Sequence, residues 1–418
     1  MQLFMEEEPV HAVLTDVYLL HHVISFQRGI PGRIVELERQ NPDRMNIVGI
    51  LPQLAIEKND LKALQTLFKV CEEFPWYRPM RKMDFAQAMH VAAKCGRLEL
   101  LQWLDANTEL ECQPWTFAAA SRAGHLEVVQ WLFEHRRESM AKFEPFSMDR
   151  VAEEGHIEMF QWLEEHVGVP CTTSAMDSAA FSGRLPMLRY LHEHRAEGCT
   201  PLAMDMAAIR GHLDVLQFLH ENRQEGGTTW GMDSAAAYGR LDVLRFLHEH
   251  RTEGCTVKAM NDAATWGRFE IVKFLHENRR EGCDKYAIRG ASRNGHLEIV
   301  KFLHKHYHKH CSRDAMMAAA EDGRMEVVQF LNENCSSANG MAITSAAANG
   351  HLDIVKYLVE SRTDGCLLAA RDKAKKLGHD DVVEYLETLL APDVTECGNN
   401  NHGRNDTRRA CQRVEATA

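Results

Sequence analysis

A glycine followed by a basic residue and a run of aliphatics recurs along most of this chain at a nearly constant interval. The strings include Gly96-Arg97-Leu98, Gly124-His125-Leu126, Gly155-His156-Ile157, Gly211-His212-Leu213, Gly295-His296-Leu297 and Gly378-His379-Asp380. From Gly155 to Gly323 every step is 28 residues, and the other steps are 27, 28 or 31. A unit this short cannot enclose a core of its own. It must bury its apolar face against its neighbours, so the chain is predicted to be a solenoid that grows by stacking. That overrides the two or three domains, roughly, that 418 residues would otherwise suggest.

One copy shows how the unit is built. Thr200 offers an N-cap hydroxyl, and Pro201 suits the first helical turn, where no N–H partner is needed. Thr172, Thr228, Thr256, Asp284 and Ser312 occupy the same place. Ala203-Met204-Asp205-Met206-Ala207-Ala208 then makes a short helix with a small-residue face. Gly211 ends it in the left-handed conformation. Leu213, Val215, Leu216, Phe218 and Leu219 carry the three-and-four spacing of a second helix. Asp214 near its start and Arg223 near its end suit its dipole. Glu225-Gly226-Gly227 breaks it, as Glu197-Gly198-Cys199, Glu253-Gly254-Cys255 and Glu281-Gly282-Cys283 do elsewhere. The unit reads helix, glycine turn, longer helix, short loop.

Register turns like residues into rows. The residue seven after each glycine is aromatic, from Trp103 through Phe246 to Tyr385, and core packing is expected for it. The basic residues after the glycines are expected to bond neighbouring backbone at the helix turn. Asp149, Asp177, Asp205 and Asp233 form a series that Asn261, Arg289 and Met317 interrupt. Repeat hydrogen bonding explains such a row better than catalysis, which needs unlike groups converging on one point. Cys112, Cys171, Cys199, Cys255, Cys283, Cys311 and Cys366 each precede a repeat glycine by 12 residues. Equivalent residues of stacked helices lie roughly 8–10 Å apart. A disulfide spans about 7 Å at most, so reduced, packed thiols are expected.

The string Gly295-His296-Leu297-Glu298-Ile299-Val300-Lys301-Phe302-Leu303, with Ala207-Ala208, Ala235-Ala236 and Ala263-Ala264 ahead of their glycines, resembles the ankyrin repeat. The resemblance covers about 85–390, and a degenerate copy, Leu54-Ala55 to Leu67, precedes it. It implies an all-α, ankyrin-like helical repeat solenoid. Two departures matter. The family's Thr-Pro-Leu-His start is replaced by strings such as Ser174-Ala175-Met176-Asp177. The step of 28 also falls short of the family's usual period of about 33. The missing residues fall where the family places a β-hairpin finger, so shortened inter-repeat loops with little or no strand are expected.

The expected organisation is an N-terminal helical cap or small adaptor module over 1–50, an array of about 11–12 repeats over 51–390, and a disordered tail over 391–418. A formal charge of −12 argues against wrapping a phosphate backbone and favours a partner with basic patches. No apolar run reaches the length of a membrane span, and Glu6-Glu7-Glu8 is acidic where a signal peptide is basic. The expectation is an intracellular, cytoplasmic monomer, with the nucleus left open, that contacts neither membrane nor nucleic acid.

His304, His306, His308, His310 and Cys311 are the richest group of potential ligands. However, His304 and His306 fall on ordinary repeat positions, and His308 and His310 lie toward a loop without a fixed supporting shell. A solvated helix end is expected there, rather than a metal-dependent enzyme. No phosphate loop, zinc spacing or nucleophile elbow is present. No catalytic residue, cofactor or metal is therefore assigned.

Fixed positions build the scaffold, so the varying ones are free to specify a partner. The two residues before each glycine vary most, and the ankyrin resemblance places them on the concave groove. Phe181, Ile209, Arg210, Tyr238, Trp266 and Arg293 are the expected partner-binding residues. The expected function is a non-catalytic scaffold that binds a protein of unknown identity. The alternative is a substrate-recruiting adaptor for a ubiquitin ligase, acting through residues 1–50.

Overall fold

The computed structural model describes residues 47–73, 85, 87–141, 143–307, 313–335, 341–361 and 365–390. The cap or adaptor expected over most of 1–50 and the tail over 391–418 lie outside them, as do His308, His310 and Cys311. Among the described residues there is no strand. The chain divides into two units, Met1–Cys199 and Thr200–Ala418.

Among the described residues the first unit holds five helix pairs. They are α1 (Ile47–Glu57) with α2 (Leu61–Glu73), α3 (Ala88–Lys94) with α4 (Leu98–Asn107), α5 (Thr116–Arg122) with α6 (Leu126–His135), α7 (Pro145–Glu154) with α8 (Ile157–His166), and α9 (Thr173–Phe181) with α10 (Leu185–His194). The degenerate copy forms a helix pair, α1 with α2. Asn59 takes the left-handed conformation, φ 57°, where the other copies use glycine. Asparagine tolerates that region better than other non-glycine residues. The 31-residue step is explained by a single 3-10 turn, Arg137–Met140, inserted after α6.

The second unit repeats the plan. Its pairs are α11 (Pro201–Arg210) with α12 (Leu213–Asn222), α13 (Thr229–Ala237) with α14 (Leu241–His250), α15 (Val257–Thr265) with α16 (Phe269–Asn278), α17 (Lys285–Arg293) with α18 (Leu297–His306), α19 (Arg313–Glu321) with α20 (Met325–Asn334), α21 (Met341–Ala348) with α22 (Leu352–Ser361), and α23 (Leu367–Leu377) with α24 (Asp380–Leu389). Within each unit the odd-numbered helices pack mainly on one another. Their small residues permit this: Ala207, Ala208, Ala235, Ala236, Ala263 and Ala264 are fully buried. The approach is close where Gly290 meets Thr265. A methyl group at Gly290 would lie 1.9 Å from the Thr265 hydroxyl.

The caps written into the sequence are made at five of the six places, and the sixth, Ser312, lies outside the described residues. The side chains of Thr172, Thr200, Thr228, Thr256 and Asp284 each accept a backbone N–H two residues on, at 2.8–3.2 Å. Each substitution of such a cap typically costs about 1 kcal/mol. The basic residue after the glycine also does as expected. His125, His351 and His379 place Nε2 at 3.0–3.1 Å from the carbonyls of Lys94, Glu321 and Ala348. Arg324 donates to Arg293 O at 3.1 Å. Each reaches back to the end of the preceding copy's first helix, whose last carbonyls lack partners within the helix. Either side chain can supply that N–H, so histidine and arginine alternate.

The aromatic row departs from expectation. Only Phe218 is buried, at 5% exposure. Phe246 and its other equivalents from Trp103 to Tyr385 are half-buried, and the core positions are the aliphatics beside them, such as Val243, Leu244 and Leu247. Trp131, Trp162, Tyr190 and Phe246 stack on a histidine one turn on. Ring centroids are 4.5 Å apart for both Tyr190–His194 and Phe246–His250. Each such histidine is held by the carbonyl of its own aromatic partner, at 3.0–3.1 Å.

The cysteine row packs as thiols. Cys112, Cys171, Cys199 and Cys255 are buried, Cys283 and Cys366 half-buried, and none of these six is in a disulfide. Burial raises the Cys171 pKa to about 11 and those of Cys255 and Cys283 to about 12. Cys335, outside this row, is disulfide-bonded.

Candidate interaction surface

The short loops are braced from within. Arg251 holds Glu253 at 2.5 Å, and Arg195 holds Glu197 at 2.5 Å. Arg223–Glu225 and Arg279–Glu281 form the same clamp. In each, the arginine ends the second helix and the glutamate sits two residues on. Glu253 also accepts Gly227 N–H at 3.1 Å. Burial opposes its ionisation, but the Arg251 fork and that N–H outweigh it and hold its pKa down at about 2. These loops have their polar groups engaged, which leaves the helix faces to meet a partner.

The residues before the glycines end up outside the core. Tyr238 and Trp266 are 60% and 61% exposed. Each follows the last residue of its helix, with its own N–H bonded at 2.9 Å to the carbonyl of Ser234 or Asp262. The backbone is thereby satisfied while the ring projects outward. Neither ring stacks on another or carries a cation among the described residues. Arg210 is exposed and Ile209 half-buried. Arg293 is engaged, with Nη2 3.0 Å from Glu321 and Nε 3.2 Å from Asp322. Phe181 holds the same repeat position in the first unit and is half-buried.

A second exposed row was missed in the sequence. Leu202, Trp230 and Tyr286, at 46%, 41% and 54% exposure, stand two residues after the N-cap of their helices. The signal was present, since Ser174 and Lys258 hold the same place and make the position as variable as the one before the glycine. Eight residues separate Trp230 from Tyr238, about 12 Å along a helix. α13 thus carries a bulky aromatic at each end, and α11, α15 and α17 carry a bulky apolar side chain at one end. Between them lie small or short ones, Ser234, Asp262 and Gly290. Burial raises the Asp262 pKa, with Lys258 opposing and Asp233 adding to the shift.

The Asp row is structural. Asp149, Asp205 and Asp233 each accept both the N–H and the hydroxyl of the next copy's N-cap threonine, at 2.6–2.8 Å. Their carboxylates are fully occupied. No group of three or more His, Cys, Asp or Glu side chains is placed to hold a metal among the described residues. Among them also, no helix is long and apolar enough to cross a membrane.

A family model described as ankyrin repeats in three copies matches residues 286–372. A second, described as ankyrin repeats in many copies, matches 176–220, 232–276 and 260–304. Between residues 176 and 372 the chain carries ankyrin repeats. Ankyrin repeats are in general protein–protein interaction modules without catalytic groups of their own. No curated protein was found to match the chain. The ankyrin pairs here are built on a shortened step, with the Arg–Glu clamps taking the place of longer fingers. Their exposed bulk stands on the first helices.

Proposed function

We propose that the chain is a non-catalytic scaffold and that the first helices of its second unit grip a protein partner, on the face that is concave in the ankyrin family. The observation that carries this reading is the exposure of Tyr238 and Trp266, with Trp230 at the other end of α13 and Tyr286 at the start of α17. Four large aromatics left to water on one set of helices are costly unless something covers them. Aromatic side chains are also the commonest anchors of protein interfaces. Ile209 and Arg210 flank this set, and Phe181 holds the equivalent position in the first unit.

The test is calorimetry of a partner captured by the intact chain and then purified. Tyr238→Ala together with Trp266→Ala should weaken binding by about 2 kcal/mol or more. The melting curve should not move, because both rings are exposed. Unchanged affinity would remove this face from the reading, and a collapsed melt would show that the rings support the fold instead.

A further inference from the structure

The run of Arg–Glu clamps stops after Arg279–Glu281. At the next two equivalent places Tyr307 and Cys335 stand for the arginine, and Lys309 and Ser337 for the glutamate. Tyr307 still ties two copies together, because its hydroxyl lies 3.0 Å from His276 Nδ1. Cys335 meets the equivalent His304, with Sγ 3.9 Å from Nδ1. It is also in a disulfide, whereas the other cysteines whose side chains are described are free. The repeat register says which cysteine lies opposite. The residue at the clamp-arginine place faces the row cysteine 24 residues before it. Arg195 stands beside the Cys171 thiol, Arg279 beside Cys255, and Tyr307 beside Cys283. For Cys335 that residue is Cys311, which lies outside the described residues. The spacing that keeps the row cysteines apart separates equivalent places, and Cys335 stands at a different one.

We propose that Cys335 and Cys311 form an exchangeable disulfide clamp, a redox switch that takes the place of the missing Arg–Glu ion pair and sets how firmly one copy is held in the array. The bond closes a loop that contains α19 and α20, and such a cross-link limits the unfolded states of what it encloses. His304 makes the bond exchangeable. When a glutathione thiolate attacks the Cys311 sulfur, the S–S bond breaks, a mixed disulfide forms and Cys335 leaves as a thiolate. With a proton on Nδ1, His304 supports that charge, and a stabilised thiolate leaves faster. The thiolate then takes up a proton. A second glutathione frees Cys311, which gives two protein thiols and one glutathione disulfide. The same steps in reverse close the clamp from glutathione disulfide. Each copy of a solenoid is steadied by its neighbours, so opening this one loosens the copies on either side of it. None of this depends on the docking face.

Peptide mapping of the full chain after exposure to glutathione disulfide should find Cys335 joined to Cys311. Millimolar reduced glutathione should open the bond, whereas a fixed structural disulfide resists that reductant. Trypsin should then cleave within residues 305–313 about tenfold faster or more than in the oxidised chain. Cys335→Ser should show the fast rate in both buffers. Should that variant lose its folded signal, the wild-type chain in the two buffers carries the same comparison. His304→Asn places there the residue that Asn332 supplies in the next copy. It should slow the opening about threefold or more. Cys335 joined to another cysteine overturns the pairing. A bond that survives millimolar glutathione, or equal cleavage in both buffers, overturns the switch. An unchanged opening rate in His304→Asn removes the histidine from it.

Discussion

Asn261 and Asp284 exchange two hydrogen bonds: the Asn261 side-chain amide donates to Asp284 Oδ1 at 2.9 Å, and Asp284 N–H donates to Asn261 Oδ1 at 3.1 Å. In the two preceding copies the same places hold Asp205 with Thr228 and Asp233 with Thr256. When the N-cap changes from a hydroxyl to a carboxylate, the residue facing it changes from an acceptor-only carboxylate to an amide that can donate. The interruption of the Asp row at Asn261 is thus chemical compensation.

Replacing Asn261 alone by Asp should therefore set two carboxylates against each other. The expected loss is about 1–3 kcal/mol at neutral pH, the cost of an unmatched buried polar pair. It should shrink on acidification, because the coupled pair then retains a proton. Adding Asp284→Thr rebuilds the pairing of the neighbouring copies and should recover most of the loss. Urea denaturation of the single and double variants measures both. A double variant no more stable than Asn261→Asp would break the argument.

Gly267→Ala should cost more than Gly378→Ala. Both glycines have positive φ, 72° and 80°, a strain of roughly 1 kcal/mol for a residue with a side chain. At Gly267 the added methyl would also lie 2.6 Å from the His296 ring, whereas at Gly378 it meets nothing within 4 Å. Equal losses in thermal melts would mean that the ring moves aside freely.

Stability of the second unit should fall in acid partly through Glu253. Its pKa is depressed from 4.5 to about 2 in the folded chain. A depressed carboxylate contributes stability that is complete above its unfolded pKa and lost as pH falls through the folded value. The window therefore runs from about 4.5 down to about 2. Glu253→Gln should be less stable than the parent at pH 7, and the two should converge across that window. Parallel stability curves from pH 7 to acid would show that the Arg251 clamp contributes nothing net.

Cys171, Cys255 and Cys283 should resist iodoacetamide until the chain unfolds. Thiolate is the reactive form, and burial raises their pKa values to about 11, 12 and 12. Mass spectrometry of labelled peptides with and without urea reads this directly. Alkylation of Cys255 in the native chain as fast as in urea would place it outside the packed row.

The sequence alone determined most of what recurs, though not the burial of the aromatic row. Period, helix pairing, threonine caps, glycine turns and the thiol row are all local or nearest-neighbour properties. A repeat writes them several times over, and chance mismatches average out. Even the role of the residue after the glycine was legible, since histidine and arginine share only the N–H that the preceding helix end requires. What belongs to one copy was harder to read. The aromatics seven after each glycine satisfy helical spacing for burial, but a second helix has more apolar width than its neighbours cover, and packing left most rings such as Phe246 half-exposed beside a histidine. Arg293 looked free until the next helix set Glu321 and Asp322 beside it. Only the tertiary structure decides that, because exposure and pairing across copies are set by neighbours that periodicity cannot tell apart.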